Sequence, residues 1–336
     1  MKLLTISIAS YNAASTLRKC LNSMVNSKYI NELEIIVVND GSKDDTLAIG
    51  KEYEKNYPYS VLVLDKTNGG HGSTINVAIS ISSAKYFKIV DADDWVETKN
   101  LDLLIEKMKK GVDVDLFVNP YYEVNALTGI KTQKNVFNKN IKSNYIYELN
   151  DCVLDMTLAM HAMTIRTSIL KDMNLFIDEN CFYVDMEYVL FPLPYIKNVI
   201  FLENPVYNYL LGTTTQSMNL DVFIKRRKQH EKVLDRLYSY YEGLDKKGSN
   251  YAEAIKNRII SATYIQYRIL LLLSPFEGIV EYMSFDKKVP ETIFDGISGN
   301  TKKIIKFFRV TRYKGYRIIV SILQLFHVIT KDNQIL

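Results

Sequence analysis

Cysteine is scarce in this chain. Cys20, Cys152 and Cys181 are three residues in 336, widely spaced and without a Cys-x-x-Cys pair. That excludes a thiolate zinc site and argues against a disulfide framework, so reduced thiols in a cytoplasmic protein are expected. Glycine and proline are few as well, 14 and 7 residues, which excludes collagen-like and low-complexity chains. No apolar run reaches the roughly 18 residues of a spanning helix. The run before Ser10 is also too short for a signal peptide. Net charge is only +4, too slight to imply a nucleic-acid partner. Its distribution is uneven: Thr301–Lys331 holds eight basic residues and no acidic one, leaving 34 basic against 38 acidic elsewhere.

What is present is a regular alternation of periods. The apolar runs Leu3–Ala9, Leu33–Val38, Ser60–Leu64 and Tyr86–Val90 read as strands. Helical spacing separates them, at Leu17, Leu21 and Met24, from Asp44 to Tyr57, and near Ser73–Ser82. Continuous apolar strands alternating with helices predict a mostly parallel sheet covered on both faces. Further on, the pattern predicts a helix at Leu101–Lys110, a strand at Val114–Tyr121 and a hairpin around Leu127-Thr128-Gly129. Residues 138–150 read as a polar loop and His161–Arg166 as a short strand. A helix over Asp185–Tyr195 and a last strand at Val199–Glu203 follow. Beyond Asn219 the chain reads as helical, with breaks near Gly243–Ser249, Ser274-Pro275 and Val289–Asn300. The change of texture near residue 218 predicts a boundary between domains 1–218 and 219–336.

In such sheets ligands bind beyond the carboxyl ends of the strands, where this sequence places its polar clusters. Asp91-Ala92-Asp93-Asp94 directly follows a strand, and adjacent carboxylates are costly to hold together unless a cation joins them. Mg²⁺ or Mn²⁺ suits such oxygen ligands; the alternative is that Asp93 and Asp94 merely cap the next helix. Asp40-Gly41-Ser42 is either a turn or a carboxylate that accepts from a nucleobase imide, on which Tyr11 would stack. Asn68-Gly69-Gly70-His71-Gly72-Ser73-Thr74 precedes a helix whose N-terminus suits a phosphate. It lacks the lysine of a P-loop, and Ser10-Tyr11-Asn12 stands where a dinucleotide fingerprint has glycines.

Four segments in order, Ile8–Asn12, Val37–Asp44, Asn68–Asn76 and Val90–Trp95, resemble the family 2 glycosyltransferases over about the first 100 residues. The resemblance implies an inverting enzyme of the GT-A fold, a Rossmann-like α/β sheet with helices on both faces, followed here by a helical C-terminal region. It implies a nucleotide-binding half at 1–100 and an acceptor half at 101–218. Nucleotide-sugar contacts are implied for Ser10, Tyr11, Asp40, Asn68, Gly70, Asn76, Asp91, Ala92 and Asp93, with a Mn²⁺ or Mg²⁺ ion on Asp93 and Asp91. Two departures stand out: Ala9-Ser10 replaces a common proline, and Ile75 replaces an arginine often found before the match to Asn76. Cys181–Tyr188 resembles the family's catalytic-base segment, displaced to acid-Met-acid. Asp185 is the expected base, with Glu187 about 200° further around the helix; the alternative is two carboxylates favoured by the helix dipole. Trp95, His161, Glu187, Thr215 and Gln216 are candidate donor or acceptor contacts, although His161 also reads as a structural histidine and Thr215 as part of a plain loop.

The expected reaction is transfer of a sugar from a nucleotide sugar, with UDP favoured, to a hydroxyl of a saccharide or lipid-linked acceptor. A catalytically silent nucleotide-sugar-binding module and a sugar nucleotidyltransferase are the alternatives. The basic, aromatic segment 301–331 matches a helix lying on an anionic membrane face, which would make the protein peripheral on the inner face of the plasma membrane. The other occupants of that segment are its own domain and a second protomer of a homo-oligomer.

Overall fold

The computed structural model describes residues 2–174, 176–212, 219–244 and 248–325. The chain divides into two units, Met1–Thr213 and Thr214–Leu336.

In the first unit β1 (Leu4–Ser10), α1 (Leu17–Val25), β2 (Leu33–Asp40), α2 (Thr46–Asn56), β3 (Val61–Lys66), α3 (Gly70–Ile81) and β4 (Tyr86–Asp91) follow one another. β1, β2 and β4 are buried on both faces, whereas β3, at the sheet edge, exposes Leu62. Leu33, Ile35 and Val37 join one core with α1 and α2, whereas the alternate Ile36 and Val38 are equally buried but lie outside it. This is why the runs are continuously apolar rather than alternating. β2 and β4 both pair with β1 in parallel, giving the order β3-β2-β1-β4. The order reverses at β1, so a crevice opens at the carboxyl ends of β1 and β4.

The unit continues through β5 (Trp95–Val96), α4 (Thr98–Lys109), β6 (Leu116–Val118), β7 (Tyr121–Asn125), β8 (Lys131–Lys134), β9 (Ile146–Glu148) and the short α5 (Leu149–Cys152). Then come β10 (Met163–Arg166), α6 (Thr167–Asp172), α7 (Asp185–Leu190), β11 (Asn198–Phe201) and β12 (Tyr207–Leu211). The large sheet runs β3-β2-β1-β4-β10-β6-β11-β9, parallel except where β10 and β9 join. A second sheet runs β5-β12-β7-β8.

Four expectations for this first unit need correction. Residues 138–150 are not all loop: Ile146–Glu148 pairs with β11 as an edge strand, too exposed to carry an apolar pattern. His161 sits in a 3₁₀ turn, Met160–Ala162, and the strand begins only at Met163. The helix from Asp185 stops at Leu190, ahead of Pro192 and Pro194. The strand at Asn198–Phe201 is not the last, because Tyr207–Leu211 forms β12.

The second unit holds α8 (Leu220–Glu242), α9 (Asn250–Leu271), α10 (Gly278–Lys288), α11 (Glu291–Phe294), α12 (Gly299–Val310) and α13 (Tyr316–Leu325). Asn219 and Ser249 cap α8 and α9 through their side-chain oxygens. The basic segment, expected as one helix, is two. Arg312 and Tyr313 take φ of 49° and 60°, and the Tyr313 N–H returns to the Phe308 carbonyl at 2.7 Å, closing α12. Ile305, Phe308, Tyr316 and Val320 are buried within the unit.

One buried carboxylate organises this region. Asp286 accepts from Tyr267 Oη at 2.5 Å, from Tyr313 Oη, and from Arg309 Nε at 3.1 Å. The Arg309 guanidinium also stacks 3.7 Å from the Phe294 ring centroid. Removing one partner of a buried pair leaves a charge uncompensated. Arg309→Met is therefore expected to lower the unfolding free energy by about 3 kcal/mol, read by urea denaturation; a change near zero would mean that the two tyrosines alone satisfy Asp286.

Candidate active site

The loops after β1 and β2 are clasped side chain to backbone. The Asn12 N–H donates to Ser42 Oγ at 2.9 Å, and Asn12 Oδ1 accepts from the Lys43 N–H at 2.8 Å. Asn12 pays for this with a φ of 48°. Ser10 is buried, whereas the Tyr11 ring is 52% exposed.

Asp40 is buried at the end of β2 with both carboxylate oxygens engaged. Oδ1 accepts from Lys66 Nζ at 2.8 Å and from the Gly69 N–H at 2.9 Å; Oδ2 accepts from the Gly70 N–H at 2.8 Å. Asn68 Nδ2 donates to the Asp40 carbonyl at 2.8 Å. Asn68 and Gly70 thus form a loop held on Asp40, which sits as an anion against the N-terminus of α3. Gly70 has φ of +81°, which favours glycine. Lys66, which no motif singled out, also donates to Ser73 Oγ at 2.8 Å. Ile75, at the position of the absent arginine, is fully buried in the core.

The three carboxylates after β4 divide their tasks. Asp91, Asp93 and Asp94 each offer an oxygen within 4.8 Å of the others. Asp94 is buried and committed: it accepts from Tyr207 Oη at 2.5 Å and from the Leu210 N–H at 2.7 Å, tying β12 to the end of β4. Burial, then the neighbouring Asp93 and Asp91, pushes its pKa well up. Desolvation within the crevice and the Asp91 charge push Asp93, whose side chain still reaches solvent, up to about 6. Asp91 and Asp93 are the pair that could hold a hard divalent ion, which their all-oxygen donor set fits. Ala92 is buried between them. Asp91 Oδ1 lies 3.0 Å from His71 Nε2. Against its burial, the Asp91 carboxylate raises the His71 pKa, with smaller contributions from Asp185 and Asp93. Sequence reasoning passed over His71 because it lay inside a glycine-rich turn.

The segment leading to Asp185 is fastened to α3. Asn76 Nδ2 donates to the Ile177 carbonyl at 2.9 Å and to Glu179 Oε1 at 3.2 Å, while Asn76 Oδ1 accepts from the Ile177 N–H at 2.8 Å. The Asn180 N–H donates to the Gly69 carbonyl at 2.6 Å. A Cβ on Gly72 would stand 2.1 Å from the Asp178 carbonyl oxygen, so this approach requires glycine. Glu187 is fully buried and accepts from the Asp178 N–H at 2.9 Å. Asn76 and Glu187, expected as ligand contacts, therefore brace the segment from within. Asp185 opens α7 and is partly exposed.

On the other side of the cluster His161 lies among tyrosines. Its ring stacks on Tyr209 at 4.3 Å and meets Tyr207 edge-on at 4.8 Å, with Tyr121 at 5.1 Å. The wholly buried Lys88 donates to the His161 carbonyl at 2.7 Å, and burial lowers its pKa to about 7. Trp95 lies under the Lys19 ammonium, 3.0 Å from its ring centroid. Thr215 and Gln216 lie outside the described residues.

Residues 5–173, half of the chain, match Glycosyl transferase family 2, and the chain belongs to that family. Among curated relatives, the glycosyltransferase GlyA of Streptococcus pneumoniae is 34% identical over 127 residues, 38% of this chain and 18% of that protein. The teichoic acid poly(glycerol phosphate) polymerase of Staphylococcus epidermidis is 24% identical over 73% of this chain and 33% of its own length. The chain thus spans a third or less of these two relatives. Among solved structures, TarS residues 1–349 of S. aureus, in complex with UDP-GlcNAc, superposes with a TM-score of 0.68 at 18% identity. The superposition covers 97% of this chain and 92% of that one, and establishes the GT-A fold.

Burial lowers the His161 pKa from its usual 6.5 to about 4. Between those values the folded chain keeps this imidazole neutral while the unfolded chain binds a proton, so stability falls as pH falls. His161→Phe is expected to remove part of that slope in unfolding curves between pH 7 and 4; parallel wild-type and variant curves would contradict the assignment.

Proposed function

We propose that this protein is an inverting glycosyltransferase that moves a sugar from a nucleotide sugar, UDP-linked in our reading, to a hydroxyl of a saccharide or lipid-linked acceptor in cell-surface polymer synthesis. The observation that carries the reading is the pairing of Asp91 and Asp93 at the switch-point crevice with Asp185 close enough to act electrostatically on His71 beside them. Tyr11, exposed after β1, would stack on the base, and Asp40 retains lone-pair capacity for the base imide. The donor half would be 1–100, the acceptor half 101–218, and 219–336 a separate helical domain.

The acceptor hydroxyl oxygen forms a bond to the anomeric carbon as the bond to the diphosphate oxygen breaks on the opposite face. Asp185 takes the hydroxyl proton as general base. A divalent ion on Asp91 and Asp93, Mn²⁺ or Mg²⁺, would supply neutralisation of charge on the leaving diphosphate. The aromatic side of the site, His161 with Tyr121 and Tyr209, would face the acceptor.

Release of UDP from a panel of UDP-sugars tests the reading. Asp185→Asn is expected to lower kcat by at least about 100-fold with UDP affinity retained, and Asp93→Ala or EDTA to abolish turnover. Unchanged turnover in Asp185→Asn would remove the base assignment, and nucleotide-sugar binding without turnover in the wild-type chain would favour the silent module.

The C-terminal helices support a second element of the reading, reversible docking on an anionic membrane surface. Val310 and Leu325 are 83% and 76% exposed, and Phe307, Ile318 and Ile322 are exposed too, beside exposed Lys303, Lys306, Arg312, Lys314 and Arg317. No helix among the described residues is long and apolar enough to cross a membrane. Sedimentation of the chain with anionic but not neutral liposomes is expected; equal pelleting or none would leave a protein-packing face.

A further inference from the structure

We propose that His71 is a positioning residue which fixes the Asp91 carboxylate for the metal-bound donor diphosphate, an inference that rests on the donor reading above. Asp91 ends β4 with its carboxylate partly exposed, and among the described residues His71 is the one side chain hydrogen-bonded to it. An ionised Asp91 carboxylate only accepts, so Nε2 carries the proton and occupies Oδ1, which leaves Oδ2 for a ligand. Without that bond, repulsion from Asp93 and Asp94 would set the torsion of Asp91.

The imidazole is itself delivered by a fixed frame. It stands on the first turn of α3, where the Gly69 and Gly70 N–H groups are held by Asp40 and the His71 carbonyl accepts from Thr74 Oγ1 at 2.7 Å. The same helix carries the 177–180 segment through the Gly69 carbonyl before it and Asn76 on its second turn. His71 therefore registers the first carboxylate of the cluster against the element that also positions Asp185. With Ile75 in the core, α3 sends no arginine to this region, and His71 is the basic side chain that its first turn directs at the acids. Partners of metal-binding side chains of this kind hold ligands in their binding orientation.

The test is calorimetry of UDP binding to the full chain, with and without Mn²⁺, for the wild type, His71→Ala and His71→Gln. His71→Ala is expected to weaken Mn²⁺-dependent UDP affinity by about 10- to 100-fold, with metal-free UDP affinity and the thermal midpoint unchanged. His71→Gln, which returns an N–H donor near Nε2, is expected to recover most of the loss. Unchanged or tighter binding in His71→Ala, a loss in His71→Gln as large as in His71→Ala, or a loss matched by a lower thermal midpoint would each overturn the role. Absence of Mn²⁺-dependent UDP binding in the wild type would overturn the donor reading, and the role of His71 with it.

Discussion

The buried carboxylate of Asp40 is the contact on which the arrangement of the site depends. A carboxylate is tolerated in such a place only when both its oxygens are hydrogen-bonded, and here an ammonium and two backbone N–H groups engage them. Hydrogen bonds to a charged group contribute about 1.5–3 kcal/mol each. Together they hold the end of β2 against the start of α3 tightly enough that a helix terminus becomes a fixed point. From that point one route runs through His71 to Asp91, and another through Gly69, Gly72 and Asn76 to the approach of α7.

The acidic run after β4 shows how one short segment meets opposed demands. Three like charges near one another raise their common cost, and the chain relieves it by assigning each a different environment. Asp94 gives up solvent for a tyrosine hydroxyl and a backbone N–H, and in doing so joins the small sheet to the large one. Asp91 takes an imidazole. Asp93 stays exposed. A segment that looks like a single motif is thus one anchor and two groups still able to bind an ion.

Much of the fold was legible because parallel strands buried on both faces leave continuous apolar runs, as Ile35-Ile36-Val37-Val38 does within β2. The polar ends of those strands were legible for the same reason, since they interrupt the runs abruptly. β12 was not, because Tyr-Asn-Tyr followed by two leucines and a glycine has the look of a loop; pairing with β5 and β7 and the bond from Asp94 make it a strand. Asn76 bonds a residue 101 positions away, and no local pattern carries that distance. Glu187 was readable only as an acid near a helix start, and its burial against Asp178 appears only in three dimensions. His71 was hidden by its neighbours, whose glycines drew attention to the backbone rather than to the ring.

Gly72 sets a mechanical tolerance for the whole crevice. Only a hydrogen on its Cα faces the Asp178 carbonyl, where a Cβ would stand 2.1 Å from the oxygen, so the two walls approach as closely as a glycine allows. Such a contact behaves as a hard stop: the segment before Asp185, fastened to α3 through Asn76 and the Gly69 carbonyl, cannot move closer to it. The spacing between α3 and the segment before Asp185 is therefore bounded from below by the backbone itself. Under the donor reading proposed above, side chains lining the crevice, not the spacing of its walls, are the part of this architecture free to vary with the sugar.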